Sequence, residues 1–370
     1  MNPRLLIYRD VILPASEASF MRRQYIGFSR LDPVWIGRRI TPVAAEMGLV
    51  TQRLGGDGLG GDLSRAAFKE FGLVPGEAAL RKLKPRLIHA QFGRGGALAL
   101  PLARKLGLPL AVTFHGGDAH KNKHYRTGLT QGIYARRLAA LKEEAGLFIC
   151  VSESVRQKLL QRGFPPGKLV VHPIGTDIPA EVPPPRASGP LLFVGRFVPK
   201  KGLPVLIEAL KLLRAEGQEP EALIVGDGPL APELRAAAVG LERLTFLGWQ
   251  QPEEVAALMR RAALLVVPSV RAEDGDAEGL PSVAVEAMAQ SLPVIGTDAA
   301  GLEGVVLPGR TGAILPAGDA EALARTIADL LSAPEWRMSM GTAGRALAQG
   351  AFDARAQSHS LEALLLSLTA

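Results

Sequence analysis

Short apolar or β-branched runs alternate along the chain with stretches whose apolar positions recur every three to four residues. In the first half the runs lie at residues 4–8, 48–54, 86–92, 109–115, 147–152 and 168–174, and in the second at 191–196, 222–226, 244–248, 263–268, 292–297 and 312–315. Such strands, separated by helices of roughly 10 to 15 residues, predict parallel βαβ units covered on both faces. The stretch "PAEVPPPRASGP" at 179–190 carries five prolines, the mark of a stiff linker. The expected organisation is an α/β domain over 1–180, a linker over 181–190, a second α/β domain over 191–350, and a C-terminal helix over 351–370 that packs back on the first domain. Two doubly wound parallel sheets facing across a cleft would bind ligands at the carboxyl ends of their strands.

Composition narrows the class. A chain of 370 residues accommodates two ordinary domains, and 47% hydrophobic with 21% charged residues describes a folded protein. Apolar runs such as 262–267 and 364–366 fall far short of the ~20 residues of a membrane-spanning helix. The opening "MNPRLLIYRDVILPASE" has too short an apolar patch before Arg9 and Asp10 for a signal peptide. The single cysteine, Cys150, excludes an internal disulfide framework and suits a reducing cytoplasm. The net charge of +7 divides unevenly: residues 1–180 hold 27 Lys+Arg against 13 Asp+Glu, and residues 181–370 hold 16 against 23. An anionic partner is therefore expected for the first half. Nucleic acid is not that partner, because aromatics are only 5% and there is no RNP-type motif or zinc-finger spacing.

Several strand ends carry candidate chemistry. "LLFVGRFVPKKGLPVLIEAL" at 191–210 reads as strand, Gly-Arg turn and amphipathic helix, with Arg196 and Lys201 flanking the turn. The planar fork of one and the point charge of the other can neutralise a diphosphate, although two such cations can also be plain solvated charges. "ALIVGDGPLAPEL" ends in Gly226-Asp227-Gly228-Pro229, where a ligand could approach the backbone or a tight turn could simply form. "LTFLGWQQPEEV" ends at Gly248-Trp249, whose ring could flank a nucleobase or cap the core. In the first half "AVTFHGGDAHKNKH" ends a strand in His115-Gly116-Gly117-Asp118, polar groups aimed into the cleft. A metal triad of His115, His120 and His124 is disfavoured by the Gly-Gly turn and the intervening lysines.

"EDGDAEGLPSVAVEAM" at 273–288 sets Glu278 and Glu286 eight positions apart. Pro281 suits the first turn of a helix, which makes Glu278 a loop residue and puts Glu286 about two turns in, among Val283, Ala284, Val285, Ala287 and Met288. A carboxylate on a buried helical face is costly unless it is paired or binds something, and the residues alone leave both readings open. Three look-alikes carry less. Gly56-x-Gly58-x-x-Gly61 matches the dinucleotide fingerprint but lies far from the first βαβ turn and reads as a flexible glycine loop. Asp274-Gly275-Asp276 has the DxD form of a divalent-ion site but sits in an ordinary acidic loop. No glycine loop continues into GK[ST], which excludes a P-loop nucleotidase.

The order and spacing of "IHAQFG", "TFHGGD", "ICVSESVRQKLLQRG", "HPIGTD", "FVGRFVPKKG", "IVGDGPL", "FLGW" and "EGLPSVAVEAMA" resemble the family-4 (group 1) retaining glycosyltransferases of the GT-B fold. The resemblance runs from about residue 86 to 330 and is strongest over 190–316; "LPASEASFMRRQ" is also similar to bacterial exopolysaccharide transferases of the colanic-acid type. It implies a GT-B architecture of two Rossmann-like domains, the first on the acceptor side and the second binding a nucleotide sugar. It implies that Glu286 binds the ribose hydroxyls, that Glu278 contacts the transferred sugar, and that Gly279, Leu280, Ser282 and Val283 present backbone N–H groups at a helix N-terminus to the sugar and diphosphate. Arg196 and Lys201 would grip the diphosphate in place of a metal, His115 would stand near the reacting centre, Gly228 and Trp249 would line the donor side, and Asp118 the acceptor side. Glu286 would then be a binding group rather than an ion-pair member. One stretch departs from the family: many members carry a Gly-Gly loop after the first strand, where this chain has "RDVILPASEASF".

The expected activity is transfer of a hexose from a UDP or GDP sugar to a glycan or lipid-linked saccharide in bacterial surface polysaccharide synthesis, with no cofactor and no metal. The rivals are an epimerase or phosphorylase on the same architecture and a non-catalytic nucleotide-sugar binder. A phosphorylase needs a lysine for its cofactor imine within an apolar run, and none is present; a binder would keep Glu286 but tolerate loss of His115. The expected location is the cytoplasm. There "RKLKPR" at 81–86 with Lys121, Lys123, Arg126, Arg136 and Arg137 would form a peripheral docking face for an anionic membrane.

Overall fold

Runs of consecutive apolar residues form strands that are buried on both faces, and their parallel pairing sets two sheets. The computed structural model describes residues 2–12, 15–55, 58–122 and 132–369. The chain divides into a first unit of Met1–Gly175 with Ala354–Ala370 and a second unit of Thr176–Asp353.

The strands of the first unit are β1 (Arg4–Tyr8), β2 (Val11–Ile12), β3 (Asp32–Gly37), β4 (Arg39–Ile40), β5 (Thr51–Arg53), β6 (Pro85–Gln91), β7 (Leu110–Phe114), β8 (Leu147–Cys150) and β9 (Leu169–Val171). Seven of them pair in parallel in the order β5-β3-β1-β6-β7-β8-β9, and β2 pairs separately with β4. The order reverses between β1 and β6, which makes their carboxyl ends the switch point of the sheet. Strand β3 is absent from the sequence expectation because Pro33 breaks its pattern; as the second residue of the strand, beside Leu5, it is tolerated without an N–H. The glycines at 58, 60 and 61 are another departure. They lie in the helix Gly58–Phe71 rather than a loop, and fully buried Phe68, with its ring centroid 6.2 Å from that of Tyr8, anchors that helix. Gly56 lies outside the described residues.

The second unit contains β10 (Leu191–Val194), β11 (Ala222–Val225), β12 (Leu244–Gly248), β13 (Leu264–Val267), β14 (Val294–Thr297) and β15 (Gly312–Leu315). All pair in parallel in the order β12-β11-β10-β13-β14-β15, the doubly wound arrangement with its switch point between β10 and β13. Side chains alternate between faces. Leu191 and Phe193 join the core formed with the helices Leu203–Ala215 and Ala320–Ser332, whereas Leu192 joins the core under the helix Ser282–Ala289. Each fully buried aliphatic side chain contributes ~1.5–3 kcal/mol, so a strand covered on both sides requires an unbroken apolar run.

The proline-rich stretch is not a spacer between domains. Buried Arg337 donates to the carbonyls of Ala187 (2.5 Å) and Leu330 (2.6 Å), and Arg345 donates to that of Pro179 (2.6 Å). Prolines cannot donate to a ladder, but their neighbourhood leaves carbonyls free, and two guanidinium groups fasten them to the second unit. The chain passes between units at 175/176 and again at 353/354.

The helix Ala354–Leu366 belongs to the first unit, packed on the helix Ala15–Tyr25. Its Glu362 is 1% exposed, and Oε1 accepts the backbone N–H groups of Ser29 (2.9 Å), Arg30 (2.7 Å) and Leu31 (2.8 Å). Ser358 Oγ accepts the N–H of Gly27 (2.9 Å) and donates to the carbonyl of Gln24 (2.9 Å). Among the described residues, no helix is long and apolar enough to cross a membrane.

Glu362→Ala removes the common acceptor of three backbone donors and leaves them beside an apolar surface. We expect a loss of roughly 3–5 kcal/mol in urea unfolding. A change below 1 kcal/mol would mean that water replaces the carboxylate at no cost.

Candidate active site

In the second unit the switch point gathers the charged residues. The turn after β10 forms a single 3₁₀ turn, Pro199–Lys201, ended by Gly202 at φ 64°. A Cβ at Gly202 would lie 1.8 Å from the carbonyl oxygen of Pro268, so this turn presses directly on the chain leaving β13. Lys201 Nζ is 3.2 Å from Glu278 Oε1, and Lys200 Nζ is 3.5 Å from both Glu278 Oε1 and Asp276 Oδ1. Both carboxylates are buried. Burial alone would raise the Glu278 carboxyl, but Lys201 and Lys200 outweigh it and hold the group below the usual carboxylate range. Arg196 stands exposed at the end of β10, with no ion pair among the described residues.

The helix Ser282–Ala289 follows this loop, with Pro281 at its N-cap. The helix starts at Ser282, and Glu286 lies about one turn in rather than the expected two. Nor is Glu286 on a buried face: it is the half-buried position among buried Val283, Ala284, Val285, Ala287 and Met288. Gly279 and Val283 are buried, Leu280 is half-buried and Ser282 is exposed at the helix start. The first N–H groups of such a helix have no partner within it and face an incoming anion. Gly228 lies three residues beyond β11, and a Cβ there would come within 2.6 Å of the Phe197 carbonyl oxygen. Trp249, at the end of β12, is 66% exposed and does not cap the core. The Asp274-Gly275-Asp276 carboxylates are engaged locally: Asp274 Oδ1 accepts the N–H of Asp276 (2.9 Å), and Asp276 faces Lys200.

In the first unit the carboxyl end of β7 carries His115. Its half-buried ring lies between Phe92 (centroids 4.5 Å apart) and Phe20 (5.3 Å), and Nε2 is 2.7 Å from Gln91 Oε1. Burial drives the imidazole pKa down to about 3, assisted by His89 and Arg9. Phe92 adopts φ 67°, a conformation that a bulky residue holds only when its surroundings impose it, and the Arg9 guanidinium lies 4.5 Å from its ring centroid.

Asp118 does not aim outward. Its Oδ1 accepts the N–H groups of His115 (2.9 Å) and Gly116 (3.0 Å), and its Oδ2 accepts that of Gly93 (2.9 Å). Burial raises this carboxyl to about 6 against those backbone donors, which pull it down. The carboxylate is committed to the backbone of the His115 loop and shapes it. His120 is buried, and His124 lies outside the described residues.

The basic face expected for the first half is partly neutralised. Arg81 pairs with Glu77 (2.9 Å) and Arg136 with Glu70 (2.6 Å), whereas Arg137 donates to the carbonyls of Ala97 and Lys69. Lys123 and Arg126 lie outside the described residues. Sequence reasoning missed Lys200, Asp276 as its partner, and Gln91. The signal for Gln91 was available: His89 and Gln91 put two polar groups on one face of an otherwise apolar strand.

Comparison with known proteins places this geometry in context. Residues 177–347 match the family described as glycosyl transferases group 1, and residues 72–179 match glycosyltransferase family 4. A Salmonella typhimurium glycosyltransferase named for colanic acid biosynthesis is 31% identical over 250 residues, 65% of this chain and 60% of that protein. The chain thus spans about 60% of that relative's length. The GDP-mannose-dependent α-(1-6)-phosphatidylinositol monomannoside mannosyltransferase of Mycolicibacterium smegmatis is 30% identical over 274 residues, 69% of this chain and 70% of the relative. Among solved structures, Anabaena HepE in complex with UDP-glucose gives a TM-score of 0.77 at 20% identity, over 98% of this chain and 99% of that one. The fold is GT-B, with two Rossmann-like domains.

The Lys201–Glu278 pair makes a pH prediction. Because the native carboxyl titrates below its unfolded value of about 4.3, its contribution is full above that pH and is lost as pH falls through the native value. Lys201→Met should therefore cost about 3 kcal/mol at pH 7, and the gap to the parent should narrow below about pH 4. Denaturant unfolding at several pH values measures both; a gap that stays constant from pH 7 to pH 3 would remove the pair as its source.

Proposed function

This chain belongs to the glycosyltransferases of group 1 and family 4, and on that premise we propose that it transfers a hexose from a nucleotide diphosphate sugar to a glycan or lipid-linked acceptor, retaining anomeric configuration. The observation that carries this reading is the cation cluster at the switch point of the second unit, set beside the start of the helix Ser282–Ala289. Negative charge builds on the diphosphate as the sugar leaves. Exposed Arg196, the donors of Lys201 not directed at Glu278, and the helix N–H groups are pre-arranged to receive it, which is the electrostatic term that usually dominates such catalysis. Glu278 holds Lys201 and, from the same position, offers an acceptor to a sugar hydroxyl.

Half-buried Glu286 suits the two ribose hydroxyls, and the exposed ring of Trp249 suits a base. The UDP-glucose bound by the Anabaena protein and the GDP-mannose dependence of the mycobacterial relative support a UDP or GDP hexose donor. With cations at the leaving group, we assign no metal and no covalent nucleophile. The colanic-acid relative supports a role in bacterial surface polysaccharide synthesis.

Glu286→Ala should weaken UDP or GDP binding by tenfold or more in calorimetry, since each lost hydrogen bond to a charged acceptor is worth ~1.5–3 kcal/mol. Its melting temperature should stay near that of the parent. Donor hydrolysis across a panel of sugar nucleotides should persist in excess EDTA. Binding of none of the panel, or activity abolished by EDTA and restored by magnesium or manganese, would sink the reading.

We extend the proposal to the acceptor side: the first half, with its excess of cations and exposed Leu59, Leu63 and Phe71, meets an anionic membrane surface peripherally. Co-sedimentation should rise with the anionic lipid content of vesicles and fall steeply with salt. Equal recovery with neutral and anionic vesicles at low salt would exclude it.

A further inference from the structure

We infer that Gln91, oriented by Gln24 and Tyr25, fixes His115 as the Nε2–H tautomer, leaving its unprotonated Nδ1 as a hydrogen-bond acceptor for a substrate hydroxyl. The hydroxyl's identity as part of a sugar rests on the function proposed above; the tautomer does not.

The assignment follows from which atoms can donate. The amide nitrogen of Gln91 lies 2.9 Å from Gln24 Oε1, an atom that can only accept, and it also donates to the Tyr25 hydroxyl. Both contacts turn the amide nitrogen away from His115 and leave Gln91 Oε1 facing the imidazole. Nε2 of His115, 2.7 Å from that oxygen, must then carry the proton.

The chain continues inward with the same polarity. The Tyr25 hydroxyl accepts from Gln91, and its own proton points to His89 Nδ1 at 2.8 Å. His89 Nε2 then donates to Thr113 Oγ1 at 2.7 Å. Gln91, His89 and Thr113 are each fully buried. Every member therefore has a strong reason to keep its partner, because a buried polar group left unpaired is costly.

The surroundings keep the ring neutral. Arg9 approaches from the end of β1, paired with Glu17 of the neighbouring helix at 2.7 Å; His89 lies behind on β6; Asp118 bonds the backbone of the same loop. Desolvation between Phe92 and Phe20 opposes an imidazolium, in line with a pKa near 3. A neutral ring whose one proton is committed to Gln91 does not serve as an acid at neutral pH. Gln91 is thus a positioning residue acting through His115.

The test reads the ring directly. In the full-length chain labelled with ¹⁵N-histidine, long-range ¹H–¹⁵N spectra without substrate should show His115 as the Nε2–H tautomer across pH 5–8. Gln91→Leu, which removes the acceptor, should abolish that pattern and lower kcat/KM about tenfold, with UDP or GDP affinity unchanged. Gln91→Glu keeps an acceptor but adds a charge that favours the imidazolium. It should give kcat/KM an acid limb absent from the parent, with activity falling as pH drops. An Nδ1–H pattern in the parent chain, or an Nε2–H pattern that persists in Gln91→Leu, overturns the inference. Failure to bind any nucleotide would instead overturn the proposed function and leave the tautomer result standing.

Discussion

The second unit depends on backbone meeting backbone at the carboxyl ends of its strands. The Pro268 carbonyl oxygen occupies the space that a Cβ on residue 202 would need, and the Gly279 carbonyl oxygen does the same at residue 301, 2.2 Å from the position of such an atom. Both glycines also have positive φ, 64° and 68°, so no other residue fits either by space or by conformation. These two contacts lock the turn after β10 against the chain after β13, and the loop before the helix Ser282–Ala289 against the chain after β14. The charged side chains inherit that rigidity. Lys200, Lys201, Asp276 and Glu278 meet at fixed separations because their backbones have nowhere to move.

Burying two carboxylates against two half-buried ammonium groups is not an economical route to stability. Each pair must recover the desolvation of two ions, and well-packed apolar side chains usually do as well or better. What the cluster provides is readiness. Under the proposed function, an arriving diphosphate would find half-buried cations already oriented by their carboxylates, so little reorganisation would remain when charge develops. Exposed Arg196, at the end of β10, has no ion pair among the described residues and adds a further positive charge to the turn.

Much of this was legible in the chain. Apolar or β-branched runs marked twelve strand positions, each of which overlaps an observed strand, and the Gly-Arg turn marked Lys201. The failures have distinct physical causes. Pro33 disguised β3, since a strand can accept a proline near its first residue. The prolines at 179–190 looked like a spacer because stiffness is visible in sequence, whereas the Arg337 and Arg345 guanidinium groups that fasten them come from more than 140 residues away. Asp276 reads only as part of an ordinary acidic loop, because nothing local reveals that Lys200 folds back onto it. Asp118 looked outward-facing beside its glycines, yet its carboxylate accepts the N–H groups of His115, Gly116 and the distant Gly93.

The same logic explains why the chain returns to its first unit for its final helix. The helix Ala15–Tyr25 ends in Gln24 and Tyr25, the two groups that orient the Gln91 amide. Tyr25 packs against Phe28, Trp35 and His89, and the loop that follows runs to β3. The helix Ala354–Leu366 adds a further constraint. Ser358 ties down the Gln24 carbonyl and the Gly27 N–H, and Glu362 collects the next three donors at residues 29–31. Gly27 fits because a Cβ there would come within 2.8 Å of the Arg355 carbonyl oxygen. A segment some 330 residues away in sequence thus holds the turn from which the polar chain to His115 begins, and the precision of that imidazole rests on the packing of the last helix.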